Sequence, residues 1–351
     1  MKGVLEVKRC LSLAALGLSV FFLTGCAQGA VLQSGSHAPV ELSSWIASWD
    51  KDKGLAEYRQ IKNHLSGIGC FMAYYDSEDK LFIPAETKEI ADFARKEGHK
   101  QRYLTITNDR QDEKGRQNPK DKDLLKRLFI NDERKAECVQ EMLAAAKKLE
   151  CTGIELDYEA FFKDKELLQD YLSFTYKLSR ACIKEKLDLR IILEPGMPMD
   201  AGLCKGPEYV VMFYNLHGKH SGPGAKADAE FIQKTIGKMA AIPGRKSAAF
   251  ATGGCLWEDY GLLGLKKGPV RFVDEDEAAA LVQKHSLNPE RDAESAALHC
   301  QYEEAGHHYE LWYADSETIN AWIKVAADNG IDRISLWRLG GNTDIKAVKN
   351  R

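Results

Sequence analysis

Hydrophobic and polar positions along this chain follow two rhythms. Short, apolar or alternating runs predict strands at residues 44–49 (SWIASW), 67–75 (GIGCFMAYY), 102–107 (RYLTIT), 152–159, 189–193 (LRIIL), 209–214 (YVVMFY), 246–251 and 333–337 (RISLW). Longer stretches with apolar residues at helical spacing lie between them, at about 53–65, 86–97, 163–186, 229–239 and 317–327, with helical material through Lys148. The helix at 163–186 is the clearest, with Leu167, Leu168, Tyr171, Leu172, Phe174 and Leu178 along one face. Eight strands interleaved with helices predict an α/β fold whose parallel sheet is covered on both faces, and eight in particular predicts a closed (β/α)8 TIM barrel. The segment of about 252–315, between the seventh and eighth strands, is too long for a simple connection. Its part LHCQYEEAGHHYELWYAD (298–315) reads as a hairpin turning near Glu304–Gly306. We expect a small β-containing insertion on the upper face of the barrel.

The first 40 residues follow a different pattern. Lys2, Lys8 and Arg9 precede an apolar run of about 14 residues from Cys10 to Leu23, short of the roughly 20 needed to span a bilayer. The run ends in Leu23-Thr24-Gly25-Cys26, which resembles the bacterial lipobox. That resemblance implies a lipoprotein signal peptide over 1–25, a lipid anchor on Cys26 and a tether over 26–40. A plain secretory signal cut near Ala27 or Ala30 is the alternative. The expected location is the bacterial cell envelope, exported and membrane-anchored. The remaining domain, 41–351, is the barrel.

Charge narrows the partners. With 49 Lys and Arg against 52 Asp and Glu, the net charge is −3, and no basic surface for nucleic acid is indicated. Seven cysteines beyond Cys26 are scattered without CxxC spacing, so we expect no zinc site and no other metal. The chain is expected to act as a monomer.

The stretch GIELDYE (153–159) carries the chemistry. Glu155, Asp157 and Glu159 alternate with Ile154, Leu156 and Tyr158. In a half-exposed strand the acids would face water. In a barrel strand the apolar set faces the helices and the acids point inward, successive ones about 6.5 Å apart. Carboxylates stacked in a low-dielectric interior cannot all stay ionised, so at least one is driven to hold a proton near neutral pH. A protonated acid beside an ionised one suits general acid catalysis. Glu159 is last on the strand, nearest the C-terminal mouth, and is the expected proton donor.

TGIELDYE resembles the glycoside hydrolase family 18 signature D-G-x-D-x-D-x-E. VVMFYN (210–215) resembles the family's M-x-Y-D, and ISLWRLGG (334–341) its final strand. YELWYADSETINAWIKVAADNGIDRISLW resembles the C-terminal block of the branch with spore-cortex and peptidoglycan-directed N-acetylglucosaminidases. The resemblance spans about residues 41–345. It implies a retaining hydrolase acting on a β-linked, N-acetylglucosamine-containing glycan, with no cofactor, whose nucleophile is the substrate's own 2-acetamido group. Glu159 would be the acid/base, Asp157 would orient the acetamido group, Tyr214 would bind its carbonyl, and Trp337 would floor the sugar site. Two departures stand out. Glu155 replaces the usual Asp, and Asn215 replaces an Asp, which should leave the glutamate's pKa less raised.

Glu155 and Asn215 join Trp337 as expected substrate-binding residues. So does Trp257, after the seventh strand, where sugar stacking and loop packing both fit. Glu194, ending the fifth strand before Pro195, completes the set, with a structural ion pair as its alternative. The run KGRQNPKDKD (114–123) reads as a solvated loop. Peptidoglycan is the substrate expected first, with chitin or an N-glycan core as alternatives. A non-catalytic carbohydrate-binding lipoprotein on the same barrel is the competing function.

Overall fold

The structure is a computed structural model that describes residues 39–260 and 266–349. The leader, Cys26 and most of the tether lie outside the described residues. Eight parallel strands run Glu41–Ala47, Leu65–Tyr75, Gln101–Gln111, Gly153–Asp157, Asp188–Leu193, Glu208–Met212, Arg245–Ala251 and Arg333–Leu339. Each pairs with the next, and the first pairs with the last, Leu42 opposite Ile334, so the sheet closes into the expected (β/α)8 barrel.

The helices outside are α1 (Lys51–Ile61), α2 (Ala85–Lys96), α3 (Lys122–Leu128), α4 (Asp132–Lys148), α5 (Lys165–Glu185), α6 (Ala229–Met239), α7 (Glu275–Lys284) and α8 (Ser316–Asp328). Side-chain caps set where several of them start. Asp164 accepts from the Leu167 N–H ahead of α5, Asp228 from Phe231 ahead of α6, and Asp315 from Thr318 ahead of α8, each cap stabilising its helix by about 1 kcal/mol. Lys186, in the left-handed region at φ 57°, ends α5. No helix follows the fifth strand, whose connection over 194–207 is irregular.

The core between strands and helices explains the greasy face of the fourth strand. Ile154 and Leu156 are fully buried there with Met142 of α4 and Tyr171 and Phe174 of α5. Tyr158 stacks on Phe174, and its hydroxyl meets that of Tyr75 at 2.5 Å. With its apolar side committed outward, period-two geometry turns the acids inward. A separate apolar cluster fills the barrel's interior: Trp45, Ala47, Phe71, Ile192, Val210, Met212 and Ala249, with Tyr214 and Trp337 against it.

The insertion is richer than the pattern predicted. The hairpin is present, as Leu298–Glu304 and His307–Ala314 turning at Ala305–Gly306. A further strand, Gly253–Tyr260, pairs with it, and α7 backs the second sheet around Leu256, Val273, Ala278, Leu311 and Tyr313. Gly253 makes the corner between barrel and insertion at φ 62°, a conformation open to glycine and costly for other residues.

Candidate active site

The site is assembled from the floor upward. Glu155 is fully buried beneath the cavity. Its Oε2 accepts from Trp45 Nε1 at 2.6 Å and Thr105 Oγ1 at 2.5 Å, and its Oε1 from Arg190 at 2.5 Å. Arg190 also donates to Ser335 and Ser43, and lies 3.4 Å from Glu208. Six strands are tied together at this level. Glu155 therefore lines no part of the cavity, contrary to the expected substrate contact, because Arg190 on the neighbouring strand claims its charge. The trio of stacked carboxylates reduces to a pair.

That pair is Asp157 and Glu159. Asp157 is buried, and its Oδ1 has no hydrogen-bond partner among the described residues. Burial first, and then the charge of Glu159, push its carboxyl well above the usual carboxylate range. Glu159 is also raised by burial, but the ammonium of Lys120, 2.6 Å from Oε2, pulls the other way. The strongest upward shift thus falls on Asp157 rather than on the outermost acid. Asn108 fixes the backbone of Glu159 by accepting its N–H at 2.9 Å and donating to its carbonyl at 3.1 Å.

Lys120 is a residue that the sequence reading passed over. It belongs to the stretch taken as a solvated loop, yet the loop folds back over the barrel mouth. Residues Gln117–Asn118 pair with the end of the long third strand, and Asp109 accepts the Lys120 N–H at 2.9 Å. No local pattern distinguishes it from the other charged residues of that run.

Asp157, Glu159 and Tyr214 line one cavity of about 500 Å3 with Asn215 and Trp337. Burial holds the Tyr214 hydroxyl well above its usual pKa, so it remains a neutral donor. Asn215 sits in the left-handed region at φ 65°, which asparagine tolerates. Trp337 is flanked by Phe71 at 4.6 Å, Trp45 at 6.0 Å and the exposed Trp49 at 6.4 Å, forming an aromatic floor and rim. Non-proline cis peptide bonds join Phe71 to Met72 and Trp337 to Arg338, and all four residues line the cavity.

Two expected contacts lie elsewhere. Trp257 is buried in the insertion, its indole N–H donating to the Ser221 carbonyl at 3.2 Å, because its strand pairs within the second sheet instead of looping over the mouth. Glu194 accepts the Ala160 N–H at 2.7 Å, and so fixes the turn after Glu159 instead of lining the cavity. Phe272, Lys226 and Arg338 line the cavity without having been foreseen.

No protein-family model matches the chain. It is 23% identical over 242 residues, 64% of this chain and 67% of that protein, to the uncharacterized glycosylase YvbX of Bacillus subtilis. Among solved structures, a chitinase from Chromobacterium violaceum superposes with a TM-score of 0.74 at 15% identity, over 88% of this chain and 98% of that one. The spore cortex-lytic enzyme SleL of Bacillus cereus superposes at 0.73 with 21% identity, over 88% of this chain and 72% of that one. The resemblance to glycoside hydrolase family 18 read from the motifs agrees with these neighbours. The chain has the (β/α)8 fold shared by such chitinases and cortex-lytic enzymes, with its acids at the end of the fourth strand.

Proposed function

We propose that this chain is a retaining glycoside hydrolase that cleaves a β-linked, N-acetylglucosamine-containing glycan through the substrate's 2-acetamido group. One observation carries the reading. An acid pair with raised pKa values, Asp157 buried and Glu159 half-buried, and a neutral tyrosine share one aromatic-floored cavity at the C-terminal mouth of the barrel. The names of the neighbouring proteins support it.

In this reading the sugar rests on Trp337. Glu159 gives its proton to the glycosidic oxygen, and that bond to C1 breaks. The acetamido carbonyl oxygen attacks C1 from the opposite face and forms a cyclic oxazolinium. Asp157 accepts the acetamido N–H and stabilises the positive charge as it develops, while Tyr214 donates to the carbonyl oxygen. Glu159, now a carboxylate, takes a proton from water, whose oxygen opens the ring at C1. Two displacements leave the configuration retained. Because the nucleophile is tethered to the substrate, the first step gains the large effective concentration of an intramolecular reaction.

Peptidoglycan is the preferred substrate, supported by the C-terminal sequence block. An exported protein anchored through lipidated Cys26 at the cell envelope would meet that polymer, and the leader sequence supports this location. The decisive experiment measures reducing ends released from purified sacculi and from chitin oligomers by wild type and by Glu159→Gln. General acid–base catalysis contributes about 10²–10⁴-fold, so the variant should lose that much. Saccharide binding without release by wild type would instead establish the non-catalytic lectin.

A further inference from the structure

Another stretch of the cavity wall is built by Phe272 of the insertion and Lys226 of the loop after the sixth strand, and it carries positive charge that the hydrolytic steps do not use. Phe272, on the short strand Arg271–Val273, is 50% exposed and lines the cavity. Two ammonium groups flank its ring: Lys219 Nζ at 5.0 Å and Lys226 Nζ at 6.0 Å from the centroid. Lys226 donates one proton to the Thr252 carbonyl at 2.9 Å. An ammonium has three, and among the described residues neither lysine forms an ion pair with a carboxylate. The acids of the same wall are already engaged: Asp274 with Arg338 at 3.2 Å, and Glu277 with Arg271. Burial correspondingly lowers the pKa of Lys226 below the usual lysine range. Half-burial of Lys226, only partly offset by the charge of Asp274, has a cost that an anion from a ligand would reduce.

We propose that Phe272, Lys219 and Lys226 form a subsite for a carboxylate-bearing amino sugar, the ring lying on Phe272 and the carboxylate meeting the two ammonium groups. The inference rests on the glycan-hydrolase reading of the same cavity and assigns three residues to its preference for an acidic glycan over neutral chitin. Aromatic faces take the apolar side of a sugar, and adjoining cations select its charged substituent. The carboxylate has two sources in such a polymer, a lactyl ether on the sugar itself or a peptide stem carried on that ether.

The test uses the whole protein and four oligosaccharides of equal length. One is neutral chitotetraose. One alternates N-acetylglucosamine with its lactyl ether bearing free carboxylates. One has those carboxylates converted to carboxamides, and one carries peptide stems. Wild type should show kcat/KM about tenfold higher on the free carboxylate than on the carboxamide, and the ratio should shrink as salt rises from about 0.05 to about 0.5 M. Lys226→Met and the exposed Lys219→Met should each reduce the ratio towards one, while Lys226→Arg retains it. A preference confined to the stem-bearing substrate keeps the subsite and assigns it the stem's carboxylates. A wild-type ratio of one on every pair, or a ratio untouched by both methionine variants, overturns the proposal. If wild type hydrolyses none of the four, the hydrolase reading fails. Calorimetric binding of the same oligosaccharides then decides the subsite by the same lysine-dependent ratio.

Discussion

The Lys120 ammonium lies 2.6 Å from Oε2 of Glu159, although the two residues come from different loops 39 positions apart. The contact opposes the effect of burial on the glutamate. Removing the cation in Lys120→Met should therefore raise the pKa of Glu159 further. A general acid works while protonated, so the basic limb of the kcat/KM profile should move to higher pH. Lys120→Arg should leave it near the wild-type position. A basic limb that stays in place in Lys120→Met would show that Glu159 does not control it.

Asp157 lowers the stability of the folded chain at neutral pH. Its folded pKa stands well above the unfolded value of about 3.9, so the folded chain binds the proton more tightly. Stability then falls as pH climbs from about 4 through the raised folded value, and the penalty is complete above it. Asp157→Asn should melt higher than wild type at neutral pH, by about 2 °C for each kcal/mol recovered, while losing most activity. Thermal melts at pH 4 and pH 8 check this. The gap between variant and wild type should widen with pH.

Arg190 and Glu155 form the opposite kind of pair. Both are almost wholly buried and hydrogen-bonded to their surroundings. Arg190→Met leaves the Glu155 charge uncompensated inside the barrel and should cost about 3–5 kcal/mol, read as a fall in the denaturant midpoint. Adding Glu155→Gln should recover part of that loss, since the stranded charge is then gone. A double variant as unstable as the sum of the singles would contradict the pairing.

Gly69, on the second strand, admits the Trp45 ring and the Glu155 carboxylate into the space a side chain would fill. An added Cβ would fall 2.6 Å from Glu155 Oε2 and against the Trp45 ring. Gly69→Ala should destabilise by about 1–3 kcal/mol through overpacking. Trp45 packs 6.0 Å from Trp337, so displacement should also raise KM more than it lowers kcat. Steady-state kinetics beside a denaturation curve separate the two effects.

Much of the barrel was legible because its signals are local. The short apolar runs at 67–75 and 246–251 and the 3.6 period at 163–186 each fall on the observed elements. GIELDYE revealed its inward acids because the apolar partners had one place to go. The insertion was harder. GGCLWEDY resembles a loop in sequence, and it becomes a strand by pairing with His307–Ala314, some 50 residues away. The choice between sugar stacking and packing for Trp257 stayed open in the sequence for that reason. Lys120 and Phe272 were missed because nothing in their neighbours' spacing reports what they face.

The sequence by itself determined the closed barrel, the line of acids and the tyrosine and tryptophan beside them, since strand and helix periods are set by residues close in the chain. Tertiary structure alone decided which charges pair: Arg190 neutralises Glu155, Lys120 reaches Glu159, and Asp157 is left buried and unpaired. The reason is physical. Whether a charge is held or shared depends on burial and on partners a few ångströms away, and those distances are fixed by closing the barrel, not by order along the chain.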